Sequence, residues 1–229
     1  MNEAQNPYRI CTWNEESVCI GCGIKGELNC RWNSKALRLF VLKEIPLFIV
    51  AAFGMAFVGV LTGAWWPLIL FAAVCVAFFG LGIETRILCT HCPYYAEEGN
   101  TLHCLALHGS PKLWRYRPEP MNRVEKTTLL LFFSFLLFFP VIVEAYGIWF
   151  ISTNYGQFGS IALLGMIGIT LANIMGVMQW ILVMMYAFCS RCVNFSCPLN
   201  RVPKSTVDAY LEKNPVVREV WIESGYKMH

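Results

Sequence analysis

The stretch IPLFIVAAFGMAFVGVLTGAWWPLILFAAVCVAFFGLGI, residues 45–83, decides the fold class because it contains no charged side chain. It is too long for one ordinary transmembrane helix, which needs about 20 apolar residues. The turn-forming sequence TGAWWP at 62–67 interrupts it near the middle, and its two tryptophans suit the headgroup region of a bilayer. The stretch therefore predicts two membrane-spanning helices that form a hairpin.

A second apolar block, residues 127–188, has the same organisation. Its interruption is STNYGQFGS at 152–160, which is rich in residues that favour turns. We therefore predict an all-α polytopic membrane protein with four transmembrane helices, arranged as hairpins at 45–88 and 127–188. The remaining segments, 1–44, 89–126 and 189–229, are polar and too short to bury a large core of their own.

The basic residues predict how the chain is oriented in the membrane. Neither turn contains any of the 18 lysines and arginines, which occur in the three polar segments and the adjoining helix ends. Because positively charged flanks are retained in the cytoplasm, both termini and the 89–126 loop are expected to be cytoplasmic. The net charge is only +3, so the composition does not favour a nucleic-acid partner.

Ten of the 11 cysteines fall in the polar segments and form three groups, each with a Cys-x-x-Cys pair. A reducing cytoplasm disfavours disulfides, so such pairs favour metal binding, with two thiolates about 2.3 Å from one ion. A four-cysteine segment at 1–44, a Cys/His loop at 89–126 and a cysteine-rich tail at 189–229 are therefore predicted to be metal-stabilised. The candidate ligands are Cys11, Cys19, Cys22 and Cys30, then Cys89, Cys92, Cys104 and His108, and finally Cys189, Cys192 and Cys197.

The spacing of the middle group is close to that of a zinc finger, with Cys104 and His108 able to share one helical turn before Gly109 and Pro111 end it. The four N-terminal thiolates fit either zinc or an iron–sulfur cluster. We expect zinc, with an iron–sulfur cluster as the alternative, since spacing does not fix the metal.

The C-terminal group has three cysteines and needs a further ligand. The candidates are His91, His103, Asp208 and His229. Alternatively, the middle and C-terminal groups form one shared two-metal site that joins the two hairpins.

Several other residues carry specific expectations. Glu144 interrupts the second apolar block, and we expect it to reach water near the outer interface. Asn173 and Gln179 are expected to form interhelical hydrogen bonds, and the small residues Gly165, Gly168 and Ala172 are expected to allow close helix packing.

In the C-terminal tail, Ser205 and Asp208 form a capping-box pattern at the start of one short helix. Pro215 begins a second, which Gly225 ends. The apolar face of this second helix predicts that it docks on the metal-binding segments or on a partner.

The predicted topology, four spans with a cysteine-rich loop between the second and the third, is similar to that of the Asp-His-His-Cys protein acyltransferases. Thr-His-Cys-Pro at 90–93 resembles part of their signature, and this resemblance implies Cys92 as a nucleophile with His91 as a base. The sequence departs from the family because the aspartate is absent, Thr90 and His91 stand at the histidine pair, and the ligands that should precede the signature are missing.

The C-terminal string Cys189-x2-Cys192-x4-Cys197 followed by proline resembles iron–sulfur cluster sites that join distant parts of nuclease chains.

Three functions are therefore considered. The first is a membrane scaffold whose zinc sites stabilise a surface for a cytoplasmic or membrane protein partner. The second is an iron–sulfur subunit of an electron-transfer complex, although the spans contain no histidine for haem. The third is a zinc-containing S-acyltransferase-like enzyme.

Overall fold

A computed structural model describes residues 8–11, 21–31, 33–97 and 99–228. Regular structure within these residues is helical, apart from one isolated bridge between Thr101 and Pro111. The α-helices are α1 (Ser34–Thr62), α2 (Trp66–Cys75), α3 (Ile83–Ile87), α4 (Arg123–Thr153), α5 (Tyr155–Val183), α6 (Lys204–Glu212) and α7 (Pro215–Glu223). Two of them continue as π-helix, α2 through Val76–Gly80 and α5 through Met184–Phe188.

The prediction of an all-α chain with apolar helices is confirmed. Three helical stretches are long and apolar enough to cross a membrane, namely Ser34–Thr62, Arg123–Thr153 and Tyr155–Arg191. The pair Trp66–Gly80 and Ile83–His91, which is bent at its break, makes a fourth if it is counted as one span. The helices are interrupted at 63–65 and at Asn154, within both predicted turns.

The first apolar helix begins earlier than the apolar stretch that predicts it. The side-chain Oδ1 of Asn33 accepts a hydrogen bond from the backbone N–H of Ala36 at 2.7 Å, which satisfies one donor at the start of α1. Pro46 lies inside α1 and does not end it. The helix thus extends from a polar first turn into the apolar block.

The chain divides into two compact units. One consists of Val41–Leu81 and Leu130–Leu182, and we call it the apolar unit. The other consists of Met1–Phe40, Gly82–Leu129 and Val183–His229, and contains every cysteine except Cys75, so we call it the cysteine-rich unit.

Glycines allow α1, α4 and α5 to approach closely within the apolar unit. A Cβ at Gly147 of α4 would lie 2.7 Å from Val58 Cγ2 of α1 and 3.1 Å from Met166 Sδ of α5. A Cβ at Gly54 of α1 would overlap the Glu144 carboxyl group of α4. These two glycines therefore lie where the three helices meet.

The expectation that Gly165 and Gly168 mediate packing is wrong, because no atom of the described chain lies within 4 Å of a Cβ placed at either. The buried face of α5 repeats at helical spacing on other positions. Its members are Met166, Thr170, Asn173, Val177 and Trp180.

The expectation that Glu144 reaches water is also wrong. Its exposed fraction is 0%, and its Oε1 accepts a hydrogen bond from Asn173 Nδ2 at 3.0 Å. Gly54 leaves room for the carboxyl group between the helices. The predicted interhelical hydrogen bond of Asn173 is confirmed, whereas Gln179, for which the same was expected, lies on an exposed face of α5.

Large apolar side chains cover the outside of the apolar unit. The exposed fraction is 86% for Ile161, 67% for Val60 and 66% for Leu131. So much apolar surface is unusual for a soluble monomer and suits contact with lipid. The composition of this surface agrees with the length of the helices in indicating a membrane protein.

The cysteine-rich unit has a hydrophobic core that its short segments build together. One cluster joins residues from all three segments and contains Ile24, Leu28, Tyr94, Tyr95, Leu102, Cys104, Val193 and Tyr210. A second cluster consists of Ile10, Ala96, Val207, Leu211, Val217 and Trp221. No segment would bury such a core alone, so the segments depend on one another for stability.

The docking predicted for the last helix is confirmed. Val217 and Trp221 of α7 are buried in the second cluster, and Trp221 Nε1 donates to the carbonyl of Pro118 at 3.0 Å. The predicted capping box at α6 is wrong, because Pro203 precedes the helix and no side chain caps it. Asp208 instead pairs with Lys204 at 3.0 Å and accepts a hydrogen bond from the Tyr226 hydroxyl at 2.8 Å.

Candidate metal centre

The middle and C-terminal Cys-x-x-Cys pairs adopt the same local structure. Each begins a single 3₁₀ turn at the end of a longer helix, Cys89–His91 in one case and Cys189–Arg191 in the other. The preceding residues have nearly equal dihedral angles, φ −99° and ψ −53° at Leu88 against φ −104° and ψ −56° at Phe188. The second cysteines are both extended, with ψ 133° at Cys92 and 130° at Cys192.

The structural similarity joins a different pair of groups from the short similarity in their sequences. The N-terminal and middle groups share a Gly-then-Leu-x-Cys ending, whereas the structural repeat joins the middle and C-terminal groups. In the sequence, the equivalence of the middle and C-terminal pairs is indicated by their position, since both come directly after an apolar span. Two equivalent turns at helix ends present their second cysteines in the same local geometry.

Nearby backbone amides lower the pKa of four thiols in these two groups, against the larger effect of burial. The N–H of the residue two positions later acts on the second cysteine of each pair, Tyr94 on Cys92 and Asn194 on Cys192. Amides also act on the last cysteine of each group, those of Ala106 and Leu107 on Cys104 and those of Leu199 and Asn200 on Cys197. The Leu107 nitrogen lies 3.0 Å from Cys104 Sγ. Such N–H donors stabilise a negatively charged sulfur, which is the form that binds a metal.

The thiols of the middle and C-terminal groups lie close enough to interact electrostatically. Burial raises the pKa of Cys92 well above its ordinary value, and the neighbouring Cys192, Cys104 and Cys197 raise this pKa further. Burial likewise raises the pKa of Cys192 to about 12, to which Cys197 contributes, and that of Cys197 to about 11. A bound cation would have the opposite effect and lower these pKa values, because a thiol that coordinates a metal is deprotonated outright.

Hydrogen bonds hold the two equivalent turns and the N-terminal segment against one another. Asn194 Nδ2 donates to the carbonyl of Leu88 at 2.8 Å, which links the C-terminal group to the residue that precedes Cys89. The N–H of Asn29 donates to the carbonyl of Arg191 at 2.8 Å, and the Tyr94 hydroxyl donates to the carbonyl of Asn29. All three cysteine groups therefore belong to one hydrogen-bonded assembly.

The described cysteines of the N-terminal group pack on the same core. Cys11, Cys22 and Cys30 contact the cluster that contains Tyr94 and Cys104. The fully buried Asn214 accepts from the Cys11 N–H at 2.8 Å, and its Nδ2 lies 3.4 Å from Cys11 Sγ. Cys19, the remaining candidate of this group, lies outside the described residues.

The predicted helical turn shared by Cys104 and His108 is wrong. Residues 101–111 form a closed loop in which Leu102 N–H donates to Ser110 O and Gly109 N–H donates to Leu102 O, each at 2.8 Å. Gly109 has φ +84°, a conformation that favours glycine and turns the chain back on itself. The His108 ring instead lies against the His103 ring, with centroids 5.3 Å apart.

The described side chains proposed as a remote ligand for the C-terminal group have other partners. His91 Nδ1 lies 2.6 Å from the Glu119 carbonyl oxygen, whereas its buried Nε2 lies 3.4 Å from Glu125 Oε2 and has no hydrogen-bond partner among the described residues. His103 Nδ1 lies 2.7 Å from a Glu97 carboxylate oxygen. Asp208 has the partners given above, and His229 lies outside the described residues. Within the middle group, Cys92 and Cys104 interact electrostatically with Cys192 and are candidates to complete the C-terminal set.

Within the part of the chain that the structure describes, no group of three or more His, Cys, Asp or Glu side chains is arranged to hold a metal ion. The structure thus brings the thiols of different segments into one region without placing three ligands at coordination distance. Sequence reasoning missed Asn194 and Asn214, which link these segments, because no spacing rule points to a lone buried amide.

Comparison of the chain with protein-family models, with curated proteins and with solved structures finds no match for any of the three.

Proposed function

We propose that this chain is a multi-pass membrane protein whose cytoplasmic cysteine-rich unit binds zinc and serves as a scaffold for a protein partner. The observation that carries the proposal is the pair of equivalent Cys-x-x-Cys turns, which have nearly equal backbone angles and are linked by the hydrogen bond from Asn194 to Leu88. Four thiols whose pKa a nearby backbone N–H lowers, Cys92, Cys104, Cys192 and Cys197, come from both segments that follow the apolar helices. They fit the alternative in which the middle and C-terminal groups share their metal.

The proposed orientation rests on the distribution of charge. Lysines and arginines flank the apolar helices on the side of the cysteine groups and are missing from both turns. A cytoplasmic location keeps the thiols reduced, as metal binding requires. Zinc would there join segments that are too short to be stable separately.

An iron–sulfur cluster for electron transfer is the second candidate, because hydrogen bonds to sulfur also tune such clusters. An acyltransferase-like role has less support. A nucleophilic thiol needs a lowered pKa, whereas burial raises the pKa of Cys92. The His91 ring is also directed at Glu119 and Glu125.

Metal analysis of the protein, purified in mild detergent without chelators, tests the proposal. We expect zinc in near-stoichiometric amount and a colourless preparation, because zinc has no visible absorption. A brown preparation that contains iron and acid-labile sulfide would instead establish the electron-transfer alternative. Protein that is folded and free of metal would contradict both.

A further inference from the structure

Glu144 and Asn173 form a buried polar pair inside the apolar unit. Their exposed fractions are 0% and 1%, and Asn173 Nδ2 donates to Glu144 Oε1 at 3.0 Å. Gly54 of α1 closes over the carboxyl group, since a Cβ there would overlap Oε1. Three helices therefore surround one carboxyl group and one amide.

This pair leaves two oxygen atoms without a donor. No described residue donates a hydrogen bond to Glu144 Oε2 or to Asn173 Oδ1. An ionised carboxylate and an amide oxygen both act only as hydrogen-bond acceptors, so they cannot form a hydrogen bond with each other. A carboxylate left ionised in such a place would be unfavourable, because it loses the hydration of its charge and gains no cation or second donor.

The other charged side chains of the apolar unit do not neutralise Glu144. They are Lys43 and Glu44, which pair with each other at 2.6 Å. Trp180 Nε1 also donates to both Glu44 oxygens, at 2.9 and 3.0 Å. Trp180 lies two turns along α5 from Asn173, which is about 10 Å of helix. Lys43 therefore forms its ion pair with Glu44 and not with Glu144.

We propose that Glu144 is a proton-binding site, in which a neutral carboxylic acid and the Asn173 amide form a cyclic pair. Oε2–H donates to Asn173 Oδ1, and Asn173 Nδ2–H donates to Oε1. One proton then provides the missing donor for both orphaned oxygens, and the pair has no net charge. This site does not depend on metal in the cysteine-rich unit.

Infrared spectroscopy of the full-length protein in detergent at neutral pH tests this site. The Glu144→Gln variant retains the shape and supplies an amide N–H to Asn173 Oδ1, so it should fold. The wild-type minus Glu144→Gln spectrum should contain the carbonyl band of a protonated acid. Glu44→Gln is the matched control and should remove carboxylate bands instead, because Glu44 is paired with Lys43.

Asn173→Leu adds a specific signature, since the acid band should move to higher frequency when both hydrogen bonds are lost. Loss of carboxylate bands in Glu144→Gln would overturn the proposal, and so would a difference spectrum that changes with sodium concentration, which would indicate a bound cation. If the variants fail to fold, ¹³C-glutamate labelling of the wild-type protein gives the same test. An acid carbonyl band that shifts on labelling supports the site, and the absence of one excludes it.

Discussion

Replacement of Cys192 by alanine is expected to remove bound metal and to destabilise the cysteine-rich unit by more than about 4 kcal/mol, a cost typical of losing a metal site. Cys192 is the second cysteine of one of the two equivalent turns and interacts with Cys197 and Cys104. If these thiols share a metal, loss of one ligand weakens the connection between both segments. Metal content per chain and hydrogen exchange across residues 189–223 would measure the effect.

The matched control is Cys75→Ala, because it deletes the same side-chain atoms in the apolar unit. Cys75 belongs to the apolar unit and to no Cys-x-x-Cys pair, so its replacement should leave the metal content unchanged. Cys92→Ala should behave like Cys192→Ala, since the two turns are equivalent. Similar metal content in all three variants would refute the assignment of Cys92 and Cys192 as ligands.

Gly54→Ala is expected to destabilise the apolar unit by about 2–3 kcal/mol, which is the upper range for overpacking. The added Cβ overlaps the Glu144 carboxyl group, which is fully buried and bonded to Asn173 and so has little freedom to move. Denaturant unfolding in mixed micelles, followed by tryptophan fluorescence, would measure the change.

Gly168→Ala provides the matched control for this prediction. Its Cβ would have no neighbour of the described chain within 4 Å, so it should gain about 0.5–1 kcal/mol from the better helix propensity of alanine. A double-mutant cycle with Glu144→Ala should recover much of the Gly54→Ala cost, because it removes the overlapping atoms. Equal effects at Gly54 and Gly168 would contradict the packing described for α1, α4 and α5.

Hydropathy predicted the apolar helices well because few backbone conformations can satisfy their hydrogen bonds inside a lipid bilayer. An apolar stretch in lipid must satisfy its own backbone hydrogen bonds, and helix is the simplest solution. The interruptions at 63–65 and 154 were predictable because glycine-containing segments favour turns, and Gly63 and Gly159 of these segments adopt positive φ. The sequence thus predicted which segments are apolar helices and where they are interrupted.

The faces of those helices were less predictable. Apolar residues surround α5, so its pattern does not reveal that Met166 and Asn173 point inward while Gly165 and Gly168 point outward. Glu144 was misplaced because its burial depends on Gly54, which is distant in sequence. Packing against other helices, rather than local composition, decides both cases.

The sequence predicted the Cys-x-x-Cys pairs, but it did not predict how the three cysteine groups pack against one another. Spacing identifies the Cys-x-x-Cys turns, whereas the amides directed at Cys104 and Cys197 depend on backbone conformation in irregular segments. The helix expected at Cys104–His108 was wrong because hydrogen bonds of Leu102 close that segment into a loop. Association of the middle and C-terminal groups depends on tertiary contacts, such as the one from Asn194 to Leu88.

X-ray absorption at the metal edge of the purified wild-type protein tests the central proposal most directly. We expect zinc with predominantly sulfur neighbours at about 2.3 Å, and fewer sulfur neighbours or no zinc in Cys92→Ala and Cys192→Ala. Zinc surrounded by oxygen and nitrogen, or a sulfur shell that neither substitution changes, would contradict it.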